Sequence, residues 1–383
     1  MPKKTNKQRA DGRYRVRVYL GVKDGKNVYK AVYGKTQKEA DIKADELRVS
    51  LRKGIDISSS NDSFKVWAEY WLTSKRSEVT SDRYSCLESR SAIWIDALGN
   101  TQLTQIKTFE LQTILFTIAA KNPYTGKPMS KKTIRGYVQV VNAIFDFAID
   151  NRVIEYNPAS KLKIPQTAIE PVQRRALTKE ERKRVREFEH RAKPSAMLMM
   201  MSGLRRGEAT ALQWNDIDFE NNTISVTKSY NFKTNEFKAP KNGKARIVTV
   251  PPQLTEYLNT LPRISAFVLT NARGQMMTAE SWKRLYKSYM LDMNIHYGLG
   301  GSVNKHDNSA KIPMVIDTFT PHELRHTFCT TMFEAGMDAM TAKDQMGHAD
   351  IQTTMSIYTH LSAQHKEKQV NKLATFYENE DNE

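Results

Sequence analysis

Five of the chain's eight histidines fall after residue 321, and the densest reactive segment is T-P-H-E-L-R-H-T at 320–327. Two chemistries fit it. Taken as H-E-x-x-H on a helix, His322 and His326 stand one turn apart as zinc ligands, with Glu323 as general base. The extended form of that motif is absent: Cys329 occupies its glycine position, and Arg325 intrudes between the ligands. No Glu lies between Glu334 and Glu367, so a distant carboxylate ligand would have to be Asp338, Asp344 or Asp350. Taken as H-x-x-R, the same segment offers His322 and Arg325 to a phosphate, because a guanidinium donates paired N–H groups to two oxygens.

Three other segments extend the phosphate reading. S-G-L-R-R-G-E at 202–208 puts Arg205 at a helix start with Glu208 one turn on. K-A-P-K-N-G-K-A-R-I-V-T-V at 238–250 reads as a hairpin with Lys241 near its turn, Lys238 and Lys244 being its rivals. M-G-H-A-D-I-Q-T-T-M-S-I-Y-T-H at 346–360 brings His348 and Tyr358, one of 16 tyrosines. A phenol has a pKa near 10, so Tyr358 is a nucleophile only where cations and a proton acceptor favour the phenolate. No G-x-x-x-x-G-K-[ST] loop is present. The arginines and lysine can supply the charge, so no metal, ATP or other cofactor is expected.

Three blocks must position these residues. In residues 1–57, R-Y-R-V-R-V-Y-L (13–20) alternates with a strand's period of two. Tyr14, Val16, Val18 and Leu20 take one face, and Arg13, Arg15, Arg17 and Tyr19 the other. Asp24-Gly25 is a turn signal and 27–33 a second strand; Thr36 and Glu39 form a capping box for a helix with Ala40, Ala44, Leu47 and Leu51 in phase. A small sheet, three-stranded, plus one helix is expected, with its arginine face on DNA. In residues 62–160, Phe64, Trp67, Ala68, Trp71 and Leu72, and later Ile134, Tyr137, Val138, Val141, Ile144, Phe145 and Ala148, recur at helical spacing. Lys131, Lys132 and Arg135 crowd the start of the second helix, where charge and helix dipole act together on a phosphate. Residues 161–175, with Pro165 and Pro171 among Lys161, Lys163, Arg174 and Arg175, read as a basic linker. The rest, 176–383, opens with a Thr178–Glu181 capping box and is mostly helical, with strand-like 223–227 and 246–250.

Composition sets the outer bounds. The net charge is +17, and residues 1–54 hold 16 Lys/Arg against 6 Asp/Glu, which points to a polyanionic partner. Two cysteines, Cys86 and Cys329, exclude a disulfide scaffold, and the chain has neither a long apolar run nor an apolar leader, so no membrane is expected.

G-L-R-x-G-E, the hairpin lysine, H-E-L-R-H-T and M-G-H-x-x-I-x-T-T-x-x-x-Y-x-H, in that order on a basic chain, resemble the tyrosine recombinase (phage integrase) family. Ser202 stands where the family often has Thr, and His348 precedes Tyr358 by ten residues where many members have nine. The resemblance implies a multidomain, mainly α protein with small β-sheets. Its parts would be an arm-type DNA-binding domain (1–57), a helical core-binding domain (62–160), the linker (161–175) and a mixed α/β, mostly helical catalytic domain (176–383). It implies an integrase of a temperate phage or integrative conjugative element, forming a 3'-phosphotyrosine through Tyr358. Arg205, Arg325, His322 and His348 would then handle the phosphate, Lys241 the leaving oxygen, and Glu208 would brace them. Implied partners are double-stranded DNA at core and arm sites, three further copies in a synaptic tetramer, a directionality factor and a host DNA-bending protein. The setting would be the cytoplasm of a bacterial host, at the nucleoid. The alternatives are an inactive DNA-binding regulator of the same fold and the zinc peptidase.

Overall fold

A computed structural model describes residues 8–23, 26–52, 62–171, 174–240, 243–301, 303 and 312–358. The chain divides into two compact units between Val172 and Gln173. It is mostly helical, with small antiparallel sheets.

The first unit begins with strands β1 (Tyr14–Lys23) and β2 (Lys26–Gly34), followed by helix α1 (Gln37–Arg52). The alternation does what its period dictates: Val16 and Val18 are buried against Ala40 and Ala44 of α1, while Arg13, Arg15 and Arg17 are exposed. The strands pair antiparallel from Tyr14↔Gly34, with a bulge between Tyr19 and Gly21. Thr36 accepts from the Glu39 amide, and the Glu39 carboxylate reaches back to the Lys35 amide. Among the described residues this sheet has two strands, where three were expected.

Among the described residues four α-helices follow: α2 (Phe64–Lys75), α3 (Ser81–Leu98), α4 (Thr108–Ala120) and α5 (Lys131–Asp150). Their core contains Phe64, Trp71, Trp94, Leu115, Ile144 and Phe145; the Trp94 indole N–H donates to the Tyr137 carbonyl at 3.1 Å. Residues 157–170 are tied down on these helices. Lys163 exchanges two backbone hydrogen bonds with the Gln112 amide, Pro158 accepts from Thr108, and the Ile169 carbonyl accepts from the Lys131 amide.

The second unit contains α6 (Lys179–Glu187), α7 (Lys193–Ser202), α8 (Arg206–Ala211), strands β3 (Ile217–Asp218), β4 (Thr223–Val226), β5 (Ser229–Asn231), β6 (Glu236–Lys238) and β7 (Arg246–Thr249), then α9 (Pro252–Asn259) and α10 (Ala279–Met293). Its last described helices are α11 (Pro321–Glu334), α12 (Ala339–Met346) and α13 (Ile351–Tyr358). Thr178 and Glu181 cap α6 reciprocally, as their spacing predicts. The hairpin reading of 238–250 needs correction. β6 pairs with β5, and β7 pairs with β4 in the order β3-β4-β7, so the two strands flanking Lys241 belong to different sheets. Helices α7 and α11 pack against each other, and the core includes Leu198, Leu204, Ile224, Val248, Trp282 and Leu324. No described helix is long and apolar enough to cross a membrane.

Candidate active site

Local chemistry aims each side chain. Helix α7 ends at Gly203, whose φ of +63° is a left-handed stop that glycine adopts without a Cβ penalty. Two residues on, Arg205 is the N-cap of α8, and Glu208 returns its carboxylate to the Arg205 amide at 2.9 Å and to Arg205 Nη1 at 2.8 Å. Arg205 Nη2 donates to the Gly347 carbonyl at 2.9 Å, which crosses from the start of α8 to the turn after α12. Arg325 lies in the second turn of α11 with 3% of its side chain exposed. Its Nη1 donates to the Gly203 carbonyl and its Nη2 to the Met346 carbonyl, the latter at 2.5 Å, while Glu208 lies 3.9 Å away. His348 follows the same turn. Its Nδ1 bonds the hydroxyl of buried Thr354 on α13 at 2.9 Å, so Nε2 is the ring nitrogen left to face a ligand. A cleft of about 510 Å³ opens here, lined by Arg205, Lys244, Arg246, Lys343, Gly347 and His348 among others.

The electrostatics follow from burial. Desolvation works to raise the Glu208 pKa, but hydrogen bonds from Arg246 and the charges of Arg246 and Arg205 overrule it and hold the group at about 2. Glu208 is therefore an anion at every working pH. Burial first, and then Arg205, push Arg325 down to about 9, which still leaves it a cation at neutral pH. His348 falls to about 4 through lost hydration and then through Arg325, Arg205 and Arg246. His322 is lowered in the same direction, to about 4, with desolvation first and then Arg174, Arg325, His326 and Arg205, although its ring is exposed and water screens those charges. Both rings are thus neutral at pH 7. Each can accept a proton or donate one ring N–H, and a phosphate arriving among the cations would raise both pKa values.

The structure gathers Arg205, Glu208, His322, Arg325 and His348, which lie far apart in sequence, into one neighbourhood. Lys241 lies outside the described residues; Lys244, three positions on, lines the cleft. Tyr358 is the last residue of α13, which packs against α11 and α12; its side chain lies outside the description. Arg13 pairs with Asp11 at 3.0 Å, and Arg17 lies 4.6 Å over the Tyr29 ring. At the start of α5, Lys131 is engaged by Glu170, while Lys132 and Arg135 are exposed. Glu323, the base of the zinc reading, is a helix cap: its carboxylate accepts from the Thr320 amide at 2.8 Å and from the Thr320 hydroxyl. Among the described residues no three His, Cys, Asp or Glu side chains are grouped to hold a metal ion.

Sequence reasoning missed Arg246. It donates to both oxygens of Glu208, at 3.1 and 2.8 Å. The signal was its phase: Arg246 shares strand parity with buried Val248 and Val250, whereas Ile247 and Thr249 are exposed.

Residues 169–365 match the phage integrase family. A "Tyrosine recombinase XerC-like" protein of Caldanaerobacter subterraneus subsp. tengcongensis is 28% identical, over 97% of this chain and 99% of that protein. The transposase from transposon Tn916 of Enterococcus faecalis is 27% identical, over 63% of this chain and 62% of its own. In fold, the chain is similar to the Tn1549 transposon integrase in complex with a circular intermediate DNA (TM-score 0.62, 20% identity, 80% of this chain and 99% of that one). It is also similar to a lambda integrase dimer bound to a core site (TM-score 0.54, 15% identity, 76% and 97%).

Proposed function

The chain belongs to the phage integrase family and is a DNA strand-transferase of the tyrosine recombinase kind, and we propose that the residues gathered around Glu208 carry out its chemistry on one DNA phosphate. What carries this reading is the convergence of Arg205 and Arg325 on the two ends of one turn, Met346 to Gly347, that leads directly into His348. Attack on a phosphodiester builds negative charge on the non-bridging oxygens, and fixed guanidinium donors stabilise that charge most. Arg205 and Arg325 hold those oxygens, and His348 adds a third donor through Nε2. The Tyr358 oxygen forms the new bond to phosphorus as the bond to the 5' oxygen breaks. Its proton passes to His322 or solvent, and Lys241 protonates the departing 5' oxygen. The 3'-phosphotyrosine conserves the bond, so a second 5'-hydroxyl reverses the step and seals a new strand without ATP.

The same reading assigns residues 1–57 to arm sites, with Arg13, Arg15 and Arg17 on the duplex. It assigns 62–160 to core sites, with Lys132, Arg135 and, once freed from Glu170, Lys131 on phosphates; 161–175 connects to the catalytic residues 176–383. The substrate is the end DNA of an integrating and excising element, as the names of the transposon relatives suggest, and the setting is the bacterial cytoplasm. Four copies assemble on DNA, with a directionality factor and a host bending protein assisting. The second unit carries an apolar groove of about 560 Å³ lined by Met200, Met201, Phe328 and Met332. It suits the apolar Val370, Leu373, Ala374 and Phe376 of the same chain or of a neighbour.

The test is covalent trapping. Duplexes selected from a random pool for binding to the full chain are nicked at successive positions, and SDS-resistant adduct is measured. The parent should form adduct. Tyr358→Phe should lose at least about 1,000-fold in rate, as removal of a covalent nucleophile does elsewhere. Undiminished adduct in Tyr358→Phe would remove Tyr358 from the mechanism.

A further inference from the structure

Arg246 belongs to the cluster, yet the phosphate chemistry leaves it without a task. Its side chain is 11% exposed, and it donates hydrogen bonds from Nη1 and Nη2 to the two oxygens of Glu208 and from Nε to the Gln345 carbonyl at 3.2 Å. Three residues along the same strand, the Thr249 amide donates to the Gln345 side chain at 3.1 Å, so β7 is stitched twice to the end of α12. The guanidinium also lies close against Gly347. A Cβ there would come within 3.0 Å of Arg246 Nη1 and 3.1 Å of its Cδ and Cζ, and Gly347 has the left-handed φ of +59°. The contacts close a circuit. Glu208 holds Arg205 and Arg246, Arg205 holds the Gly347 carbonyl, and Arg246 holds Gln345 and covers Gly347.

We propose that Arg246 is a positioning residue for strand transfer, engaging the Glu208 carboxylate and clamping the 345–347 turn so that Arg205 and His348 face the phosphate. This rests on the reading of the site given above. The division of labour is electrostatic. A carboxylate with no exposed surface and no Arg246 would draw Arg205 and Arg325 wholly onto itself and compete with the phosphate for their N–H groups. With Arg246 bound to both oxygens, Arg205 gives Glu208 one side-chain donor and Gly347 another, out of the five a guanidinium carries. Lysine cannot replace it, because a single ammonium is a point charge without the planar fork that reaches two carboxylate oxygens and a carbonyl together.

The experiment measures single-turnover adduct formation on the nicked duplex, beside equilibrium binding of the same intact duplex, for the full-length parent, Arg246→Lys, Arg246→Gln, Glu208→Gln and the Arg246→Gln/Glu208→Gln pair. An inactive parent overturns the reading of the site and this proposal with it. With an active parent, Arg246→Gln should slow adduct formation about 100-fold and Arg246→Lys about tenfold, the scale of a misplacement of roughly 1 Å. DNA affinity should stay within about twofold. The double variant should be no slower than the slower single variant, because the two side chains act as one unit. Losses that multiply in the double variant would mean that Arg246 acts on DNA independently of Glu208, and a parental rate in Arg246→Lys would mean that its fork is not needed; either overturns the proposal. Should circular dichroism find Arg246→Gln unfolded, Arg246→Lys decides alone.

Discussion

On the N-terminal sheet Arg15 and Arg17 stand exposed, Arg17 resting on a tyrosine ring, whereas around Glu208 the side chains of Arg325 and Arg246 keep 3% and 11% of their surface. The exposed pair keeps its hydration and rotamer freedom. Its pull on a phosphate is long-ranged, tolerant of position and weakened by salt. The buried set has exchanged water for fixed acceptors, namely one carboxylate and the carbonyls of Gly203, Gln345, Met346 and Gly347. Its charge cannot relax when a phosphate becomes more negative during attack, and that is the condition for stabilising a transition state. One residue type thus stands hydrated on the sheet of the first unit and fixed among acceptors in the second.

The contrast breaks most readily at Arg325. Arg325→Ala should slow adduct formation about 100- to 1,000-fold. It should also destabilise the second unit by about 1–3 kcal/mol, because the buried Gly203 and Met346 carbonyls lose their donor. Single-turnover trapping and thermal unfolding check both; a stability loss with the rate intact would make the buried set scaffold alone. The exposed side is sharpened with salt. Arg15→Gln combined with Arg17→Gln should lower the slope of log affinity against log salt by about 2 for duplexes that bind the N-terminal sheet. An unchanged slope would take these arginines off the phosphates. The smallest effect concerns pH. Half-buried His348 has a folded pKa near 4, below the roughly 6.5 of an unfolded chain, and exposed His322 follows it with a contribution that solvent weakens. Between those values the unfolded chain binds protons that the folded one refuses. The histidines' contribution to stability is therefore complete above about pH 6.5 and falls as pH drops toward 4. His348→Gln should flatten the Tm–pH profile across that window by a few degrees, and a slope equal to the parent's would show that the ring is not held neutral.

Much of this arrangement was legible from residue order. Alternation sorted Val16 and Val18 from Arg15 and Arg17, and spacing placed both capping boxes and the helix stripes, because those patterns are local. Partner choice was not legible. The strand period identified β4 and β7 but could not say that β7 joins β4 across the intervening β5–β6 pair, so 238–250 read as a closed hairpin. Pro165 and Pro171 marked a connector over 161–175, but residue order does not show that the Lys163 backbone within it bonds to Gln112, some 50 residues earlier. Arg246 was overlooked for a related reason: its strand parity marked it as inward, but what made that tolerable, a carboxylate 38 positions earlier, appears only in three dimensions.

Arg325 bridges the carboxyl ends of two helices, α7 through Gly203 and α12 through Met346. The partial negative charge there offsets some of the lost hydration of the guanidinium. It also makes the side chain a strut between two rods: a slide of about an ångström by α12 would stretch one of its anchors beyond hydrogen-bonding range. A shift of α12 against α7 would therefore pull on Arg325, and the Gly347 carbonyl that Arg205 holds would move with it.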